Sequence, residues 1–469
     1  MDRLSSYSQR RLLGPGSQKG LCLKLKPIWL ALLSSYFVLF YLYSTTNFFI
    51  PLLRSTPSDL FLESPPSDEI LPNHSPTTVR SIQNLPTNAS QSLKSVASQE
   101  AVGAALKSQR PSSIGTERDE SEKKKDVYHE RDIFMEEYKE MKRRLKVYVY
   151  PHGKDDPFAN VLLPADEEPG GNYASESYFK KALMKSQFLT DDPTNADLFF
   201  MPFSIASLRH DRRVGVGGIQ GFVRDYIREI THKYPYWNRS GGADHFYVAC
   251  HSVGRSAMEK APQVKFNAIQ VVCSSSYFLT GYVAHKDACL PQIWPRQGNP
   301  PNLASSDRKK LAFFAGGMNS RERKQLVKTW GNDSEIFAHA GRLRTPYADE
   351  LLGSKFCLHA KGYEVNTARI GDSLYYGCVP VVVADYYDLP FADVLNWNSF
   401  SVVVNAIDIP LLKKVLKGIS PEEYQKLHSN VLKVRKHFKW HSSPVDFDAF
   451  YMVMYELWLR RSSIKFPLL

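Results

Sequence analysis

Residues 355–391 read KFCLHAKGYEVNTARIGDSLYYGCVPVVVADYYDLPF, and the fold is read outward from this stretch. KFCLH (355–359) and VPVVVA (379–384) are short apolar runs of the kind that form buried strands. Between them lie a loop, AKGYEVN, and the helical segment TARIGDSLYYG. Two buried strands joined by about ten helical residues make a βαβ unit of a parallel sheet. Such a unit gathers its loops and helix N-termini at the carboxyl edge of the strands, where open α/β sheets bind ligands. Lys361 and Arg369 stand there for anionic groups and Asp372 for hydroxyls. The pattern alone also suits an ordinary core unit; the side chains at its edge suit a sugar nucleotide.

The chain has 469 residues and is 43% apolar, enough for one large core or two moderate ones. Domains of roughly 100–200 residues favour two, plus additional segments. The net charge is +12, but Arg3, Arg10, Arg11, Lys19, Lys24 and Lys26 face only Asp2 in the first 26 residues. The remaining excess forms no dominant basic block, which argues against nucleic acid and for a surface that tolerates phosphate or acidic polymers. Of six cysteines, Cys22 precedes the long apolar stretch and five follow it, so at least one of the five stays unpaired within the chain. Their connectivity is open, and no CxxC or Cys/His cluster suggests zinc.

Residues 28–50 carry no charge, and about 20 apolar residues suffice to span a bilayer. Basic residues precede this stretch and only Arg54 follows closely, so residues 1–27 are expected in the cytosol. No small-residue cleavage site follows, which favours an uncleaved signal-anchor in type II orientation. Residues 51–130 are rich in Ser, Thr and Pro and end in ERDESEKKKD, the composition of a flexible lumenal stem. Asn73, Asn88, Asn238 and Asn332 match the glycosylation pattern, usable only if this side is lumenal. Four matches in a chain this long weigh little.

Residues 140–300 alternate strands (146–150, 196–203, 243–250, 268–272) with helical patterns, one of them capped by Ser175, as a first α/β domain does. Residues 291–307, with four prolines, read as an interdomain linker. Residues 308–469 alternate likewise and include the opening stretch and a last helix from Val445 to Trp458.

Several segments carry a resemblance. KVYVYP (146–151), GGNYASESYF (170–179), DLFFMPF (197–203) and YPYWNRSGGADHFYVACH (234–251) come first. LAFFAGG (311–317), the run CLHAKGYEVNTARIGDSLYYGCVPVVVADYYDLPFADVLNW (357–397) and FKWHSSPVDFDAF (438–450) follow. Together they resemble the exostosin-like glycosyltransferases, glycosyltransferase family 47, and its plant members in particular, over essentially all of 140–460. The resemblance implies a GT-B fold: two Rossmann-like domains facing a cleft, the first on the acceptor side and the second holding the nucleotide sugar. It implies inverting transfer from a nucleotide sugar, usually UDP-linked, with no metal or other cofactor. The acceptor would be a glycan or a cell-wall polysaccharide such as xyloglucan, xylan or pectin. Residence in the Golgi membrane as a type II protein, and other glycosyltransferases as partners, follow on the same ground. One departure stands out: after ACH the family often has Asp-Trp, whereas this chain has Ser252-Val253. Acceptor identity is therefore not carried over from members that keep the dipeptide.

Inverting transfer needs a base, stabilisation of the leaving diphosphate and a nucleotide site. Gly316 and Gly317 end a strand before a helix, so amides there can approach phosphate closely. Arg321 and Arg369 would neutralise the leaving group. Asp372 would accept from ribose hydroxyls, or simply pair with Arg369 at i,i+3. Glu364 and Asn366 belong with the nucleotide as well. The base is expected from the first domain: His251, at the carboxyl end of its strand, with Glu176, at a helix start, as second choice. Three features are set aside. Asp446-Phe447-Asp448 imitates a metal motif but opens a helix, Gly215–Gly218 follows HDRR rather than a strand, and Cys22 suggests acylation by position alone. The rival functions are a non-catalytic polysaccharide-binding subunit of a glycosyltransferase complex, and a glycosidase built on a carboxylate pair.

Overall fold

Short apolar runs, buried on both faces, pair in register into two parallel sheets. The first joins β1 (Val147–Val149), β2 (Leu198–Phe200), β3 (His245–Ala249), β4 (Ile269–Val272) and β5 (Ala288–Cys289) in chain order. Phe200 lies opposite Phe246, and Phe246 opposite Ile269. The second contains β6 (Lys310–Gly316), β7 (Ile336–Ala340), β8 (Ser354–Ala360), β9 (Val379–Val383) and β10 (Val402–Val403), in the order β10-β9-β8-β6-β7. β8 and β9 are the two strands expected within 355–391, paired in parallel with Leu358 opposite Val381. This computed structural model describes residues 126–153, 156, 169–296, 298, 300–301 and 307–461. The expected cytosolic tail, the anchor at 28–50, nearly all of the stem, and Asn73 and Asn88 lie outside the described residues. Among the described residues, no helix is long and apolar enough to cross a membrane.

The helices that matter below are α1 (Arg131–Arg144), α2 (Ala174–Met184), α3 (Ile205–His210), α4 (Gly215–Lys233), α5 (Val253–Ser256), α6 (Arg321–Trp330), α7 (Arg369–Tyr375), α8 (Pro421–Val434) and α9 (Ala449–Arg460). Their starts follow local chemistry. Ser320, Ser420 and Asp448 each accept a backbone N–H from the third residue on, capping α6, α8 and α9. Asp448 of the DFD segment is thus a helix cap, and Asp446 pairs with Lys142 at 2.5 Å. Gly215–Gly218 form the first turn of α4. Ser175, expected as a cap, lies inside α2, where its buried hydroxyl donates to the Pro291 carbonyl.

Two expected boundaries shift. Residues 126–130, assigned to the stem, are tied to the fold: Val127 is buried and its carbonyl accepts from Asn396 N at 2.9 Å. The last helix, placed with the second domain, lies on helices of the first. Phe450 packs against Phe179 and Phe188, and Trp458 Nε1 donates to Glu137 of α1 at 2.7 Å. One apolar cluster accordingly runs from Val147 and Phe246 through α9 to Phe314 and Phe356. Disulfides link Cys250 to Cys273 and Cys357 to Cys378, bracing β3 against β4 and β8 against β9, while Cys289 is free and buried.

Candidate functional site

In the second sheet β6 has β7 on one side and β8 on the other, so the chain leaves β6 toward one side and later returns on the other. Beyond the carboxyl ends of two such strands the loops diverge and leave a crevice, the usual ligand site of an open parallel sheet. A cavity of about 440 Å³ lies here, within the roughly 300–1,000 Å³ of small-molecule sites. Asn319 and Arg323 line it after β6, and residues 362–364, 366–369 and Asp372 after β8. Asn172, Tyr173 and Ser252 close it from the first-sheet side, with Gln292, Trp294 and Arg296 from the connecting chain.

Two guanidinium groups straddle the crevice. Arg369 donates to the Ala315 carbonyl at 2.7 and 3.2 Å, lying where a side chain on Gly316 would sit. Arg323 donates to the Ala360 carbonyl at 3.1 Å and to Asn319 Oδ1 at 2.8 Å. Among the described residues neither makes a salt bridge to a carboxylate. Burial, and then repulsion from Arg369, pull Arg323 down to about 10, which leaves it charged at neutral pH. Two fixed, unneutralised cations around one cavity favour an anion between them.

The cavity's polar side chains are set apart from these cations. Asp372 Oδ1 accepts from Arg296 Nε and Nη2 at 2.9 and 2.7 Å, so the i,i+3 pairing with Arg369 does not form. Burial raises the Asp372 pKa, opposed by Arg296 and Arg369. Asn366 donates to Gln292 Oε1 at 2.7 Å, but its own buried Oδ1 has no donor. Glu364 lies 3.8 Å from Arg255 of α5, and burial raises its pKa against the pull of Arg255 and Lys361.

Residues 141–419 match the family model of the exostosin GT47 domain. The chain belongs to the exostosin GT47 family of glycosyltransferases. It is 38% identical over 351 residues to the probable glycosyltransferase At5g03795 of Arabidopsis thaliana, over 72% of this chain and 66% of that one. The probable glycosyltransferase At5g25310 of the same plant is 34% identical, with 72% of each chain covered. The probable beta-1,4-xylosyltransferase IRX10L, also from Arabidopsis thaliana, is 26% identical over 60% of this chain and 72% of its own. Among solved structures, TarM matches with a TM-score of 0.25 and 11% identity over 44% of this chain and 55% of that one. The fold assignment rests on the two sheets and not on that likeness.

Of the residues singled out in the sequence of this GT47 chain, Glu364, Asn366, Arg369 and Asp372 line one cavity, and Gly316 lies beneath Arg369. Arg321 is exposed and does not line it; Arg323 does. From the Ser320 cap, position 321 points outward while 323 and 326 share the buried face of α6. Gly317 does not line the cavity either; its carbonyl takes an N–H of Arg323 at 3.3 Å. Lys361 pairs with Glu322 at 3.3 Å.

The two expected bases also sit behind the cavity wall. His251 Nδ1 accepts from Val253 N at 3.1 Å and Nε2 faces the Arg209 guanidinium. Burial and Arg209 lower its pKa to about 4. Its ring packs on Tyr173 at 4.4 Å, so it positions a residue that does line the cavity. Glu176 is buried and spent on the Ser204 hydroxyl and on Cys250 N at 3.1 Å, joining the start of α3 to the end of β3. Asn238 and Asn332 are exposed.

Arg296 and Arg323 are the cations of the cavity lining that sequence reasoning passed over. Arg296 was hidden in a proline-rich stretch read as a linker. Helical register counted from Ser320 would have selected Arg323 over Arg321.

Proposed function

We propose that this GT47 domain is an inverting glycosyltransferase of GT-B architecture, moving a sugar from a UDP-sugar to a glycan acceptor. The observation that carries it is the pair Arg323 and Arg369, anchored on strand-end carbonyls and lacking carboxylates. The donor diphosphate lies between them, and Asn366 Oδ1 and Asp372 accept from the nucleoside. The acceptor hydroxyl attacks the anomeric carbon from the face opposite the diphosphate. Its proton goes to a base, and the carbon–oxygen bond to phosphate breaks with its electron pair leaving on the diphosphate. The configuration inverts. Glu364 is our choice of base, because it lines the cavity and among the described residues its carboxylate accepts no hydrogen bond, with Arg255 3.8 Å away. The fixed guanidiniums stabilise charge as it develops, at about 3 kcal/mol per preorganised donor. No metal is part of this scheme.

Golgi membrane residence, with the folded region lumenal, is proposed on three supports. They are the charge-free stretch 28–50 behind a basic tail, the two disulfides, which suit an oxidising compartment, and glycosylation motifs at exposed Asn238 and Asn332. Xylan-type acceptors are the first to try, since relatives are named a probable beta-1,4-xylosyltransferase and a probable glucuronoxylan glucuronosyltransferase. Ser252 lines the cavity at the departure noted above, so the acceptor need not match theirs.

The decisive experiment screens UDP-sugars for binding, hydrolysis and transfer with the full-length protein. Arg323→Ala and Arg369→Ala should each lower kcat/KM at least about 100-fold. If no UDP-sugar binds, the chain is a non-catalytic glycan-binding subunit. Sugar released from polymer without nucleotide would make it a glycosidase.

A further inference from the structure

At the opposite edge of the second sheet, beside the amino ends of β6 and β8, lies a larger cavity of about 980 Å³. Leu311, Lys355 and Phe356 line it from the strands and Tyr424, His428 and Leu432 from the side of α8. Four buried polar atoms on its lining residues have no hydrogen-bond partner: Arg308 Nε, Tyr424 Oη, His428 Nε2 and Arg435 Nη1. Arg308 is only 8% exposed. Its terminal nitrogens donate to the carbonyls of Leu351, Ser354 and Tyr376, and Nε makes no hydrogen bond. A buried polar group left unpaired costs about 1–3 kcal/mol; the two arginine nitrogens must donate and the tyrosine hydroxyl and His428 ring nitrogen are able to, so the four suit a ligand rich in acceptors. The two carboxylates lining the cavity are already held by lysines, Glu335 by Lys413 and Lys417 at 2.8 Å and Asp307 by Lys309 at 3.4 Å. None of the four orphaned groups is paired with them.

The cavity does not stand alone. It shares Leu432 and Arg435 with a groove of about 280 Å³, which in turn shares Trp294 and Arg296 with the cleft. The groove follows α7, from Gly371 to Tyr375, and the rings it exposes are Trp294 and half-buried Tyr375, while Tyr178 and Trp440 are buried in its lining and stack on each other. At 1.5 Å per residue the seven residues of α7 span about 10 Å. The helix leads from Asp372 at the cleft to Tyr376, whose carbonyl accepts from Arg308 Nη2 at 2.7 Å. Exposed rings along a groove that leads to unpaired polar groups suit a chain of sugar rings that carries an anion at intervals.

We infer that the groove and the basic cavity hold an acidic glycan, with the carboxylate of a uronic acid residue on Arg308, Tyr424, His428 and Arg435. That the other end of this glycan is the reacting acceptor rests on the reading of the cleft. The cavity site itself does not.

The test measures binding to the full-length protein of three probes: the trimer of α-1,4-linked galacturonic acid, cellotriose as a neutral trimer, and inorganic phosphate. UDP serves as a separate reporter of the cleft and of folding. The acidic trimer should bind at least about tenfold more tightly than cellotriose, a difference of roughly 1.4 kcal/mol. His428→Gln with Arg435→Gln should weaken the acidic trimer by about the same factor, while UDP binding changes less than about twofold. Tyr424→Phe, which removes only a hydroxyl, should weaken it in the same direction. Equal affinity for the two trimers, or unchanged affinity in all variants, overturns the inference. Displacement of the acidic trimer by phosphate at equal concentration also overturns it, leaving a site for small anions only. If UDP fails to bind while the trimer still depends on Arg435, the reading of the cleft falls and this site stands.

Discussion

Arg296 reaches from a proline-rich connection to Asp372 and makes two hydrogen bonds to one carboxylate oxygen. Removing the arginine leaves a buried carboxylate uncompensated, which costs about 3 kcal/mol. Arg296→Ala should therefore lower the urea midpoint of the full chain and weaken UDP binding together; an unchanged midpoint would show that the pair is not formed. Glu364 makes a prediction of a different kind. Burial raises its pKa, and a general base must be ionised. The acid limb of kcat/KM should then fall at a pH above the ordinary glutamate value, and Glu364→Gln should abolish that limb along with most of the rate. The sign for stability is opposite. A carboxyl whose folded pKa is raised contributes stability that is full below its unfolded pKa and is lost as pH rises through the folded one. A profile with an acid limb unmoved by Glu364→Gln would assign the base elsewhere.

Among the elements, β8, α7 and β9 were legible in the sequence because each local signal agreed: two buried strands, a loop, a helix and a Gly-Cys turn. The helix α6 was legible as a helix but not in its facing, which is why Arg321 was chosen and Arg323 passed over. A one- or two-residue difference in register turns a helical side chain from cavity to solvent, and only packing against the sheet settles which face is inward. α9 shows the limit of position along the chain. Its apolar residues announce burial, but its partners, Phe179 and Phe188, precede it by more than two hundred residues. Phe450→Ala should cost about 3–5 kcal/mol, measured by chemical unfolding, because it opens a cavity in the first-sheet layer. A loss under about 1 kcal/mol would mean that α9 is not part of that core.

At the scale of the molecule, the arrangement places every cavity cation on or beside the second sheet, while the first-sheet half contributes Asn172, Tyr173 and Ser252. This asymmetry fits a division between donor and acceptor. The proposed topology makes its own prediction: Asn238 and Asn332 face solvent, so they should carry glycans if the folded region is lumenal. Endoglycosidase treatment of the full-length protein from cells should increase its gel mobility, and Asn238→Gln with Asn332→Gln should reduce that shift. No change on either count would argue for a cytosolic folded region.

Patterns along the chain were enough to read the α/β class, the parallel βαβ unit at 355–391, the family and four of the cavity's residues, Glu364, Asn366, Arg369 and Asp372. These are consequences of periodicity and of motifs contained within short segments, where neighbours in the chain are neighbours in space. The tertiary structure alone decided that Asp372 pairs with Arg296 rather than Arg369, and that His251 and Glu176 are enclosed behind the cavity wall. It also decided that Cys250 joins Cys273 and Cys357 joins Cys378, and that four buried polar groups without partners belong to the lining of one cavity at the far edge of the second sheet. Each depends on groups brought together across the fold or on the direction a side chain takes from its element. Hydrogen bonding and burial choose among such arrangements only once the chain has packed.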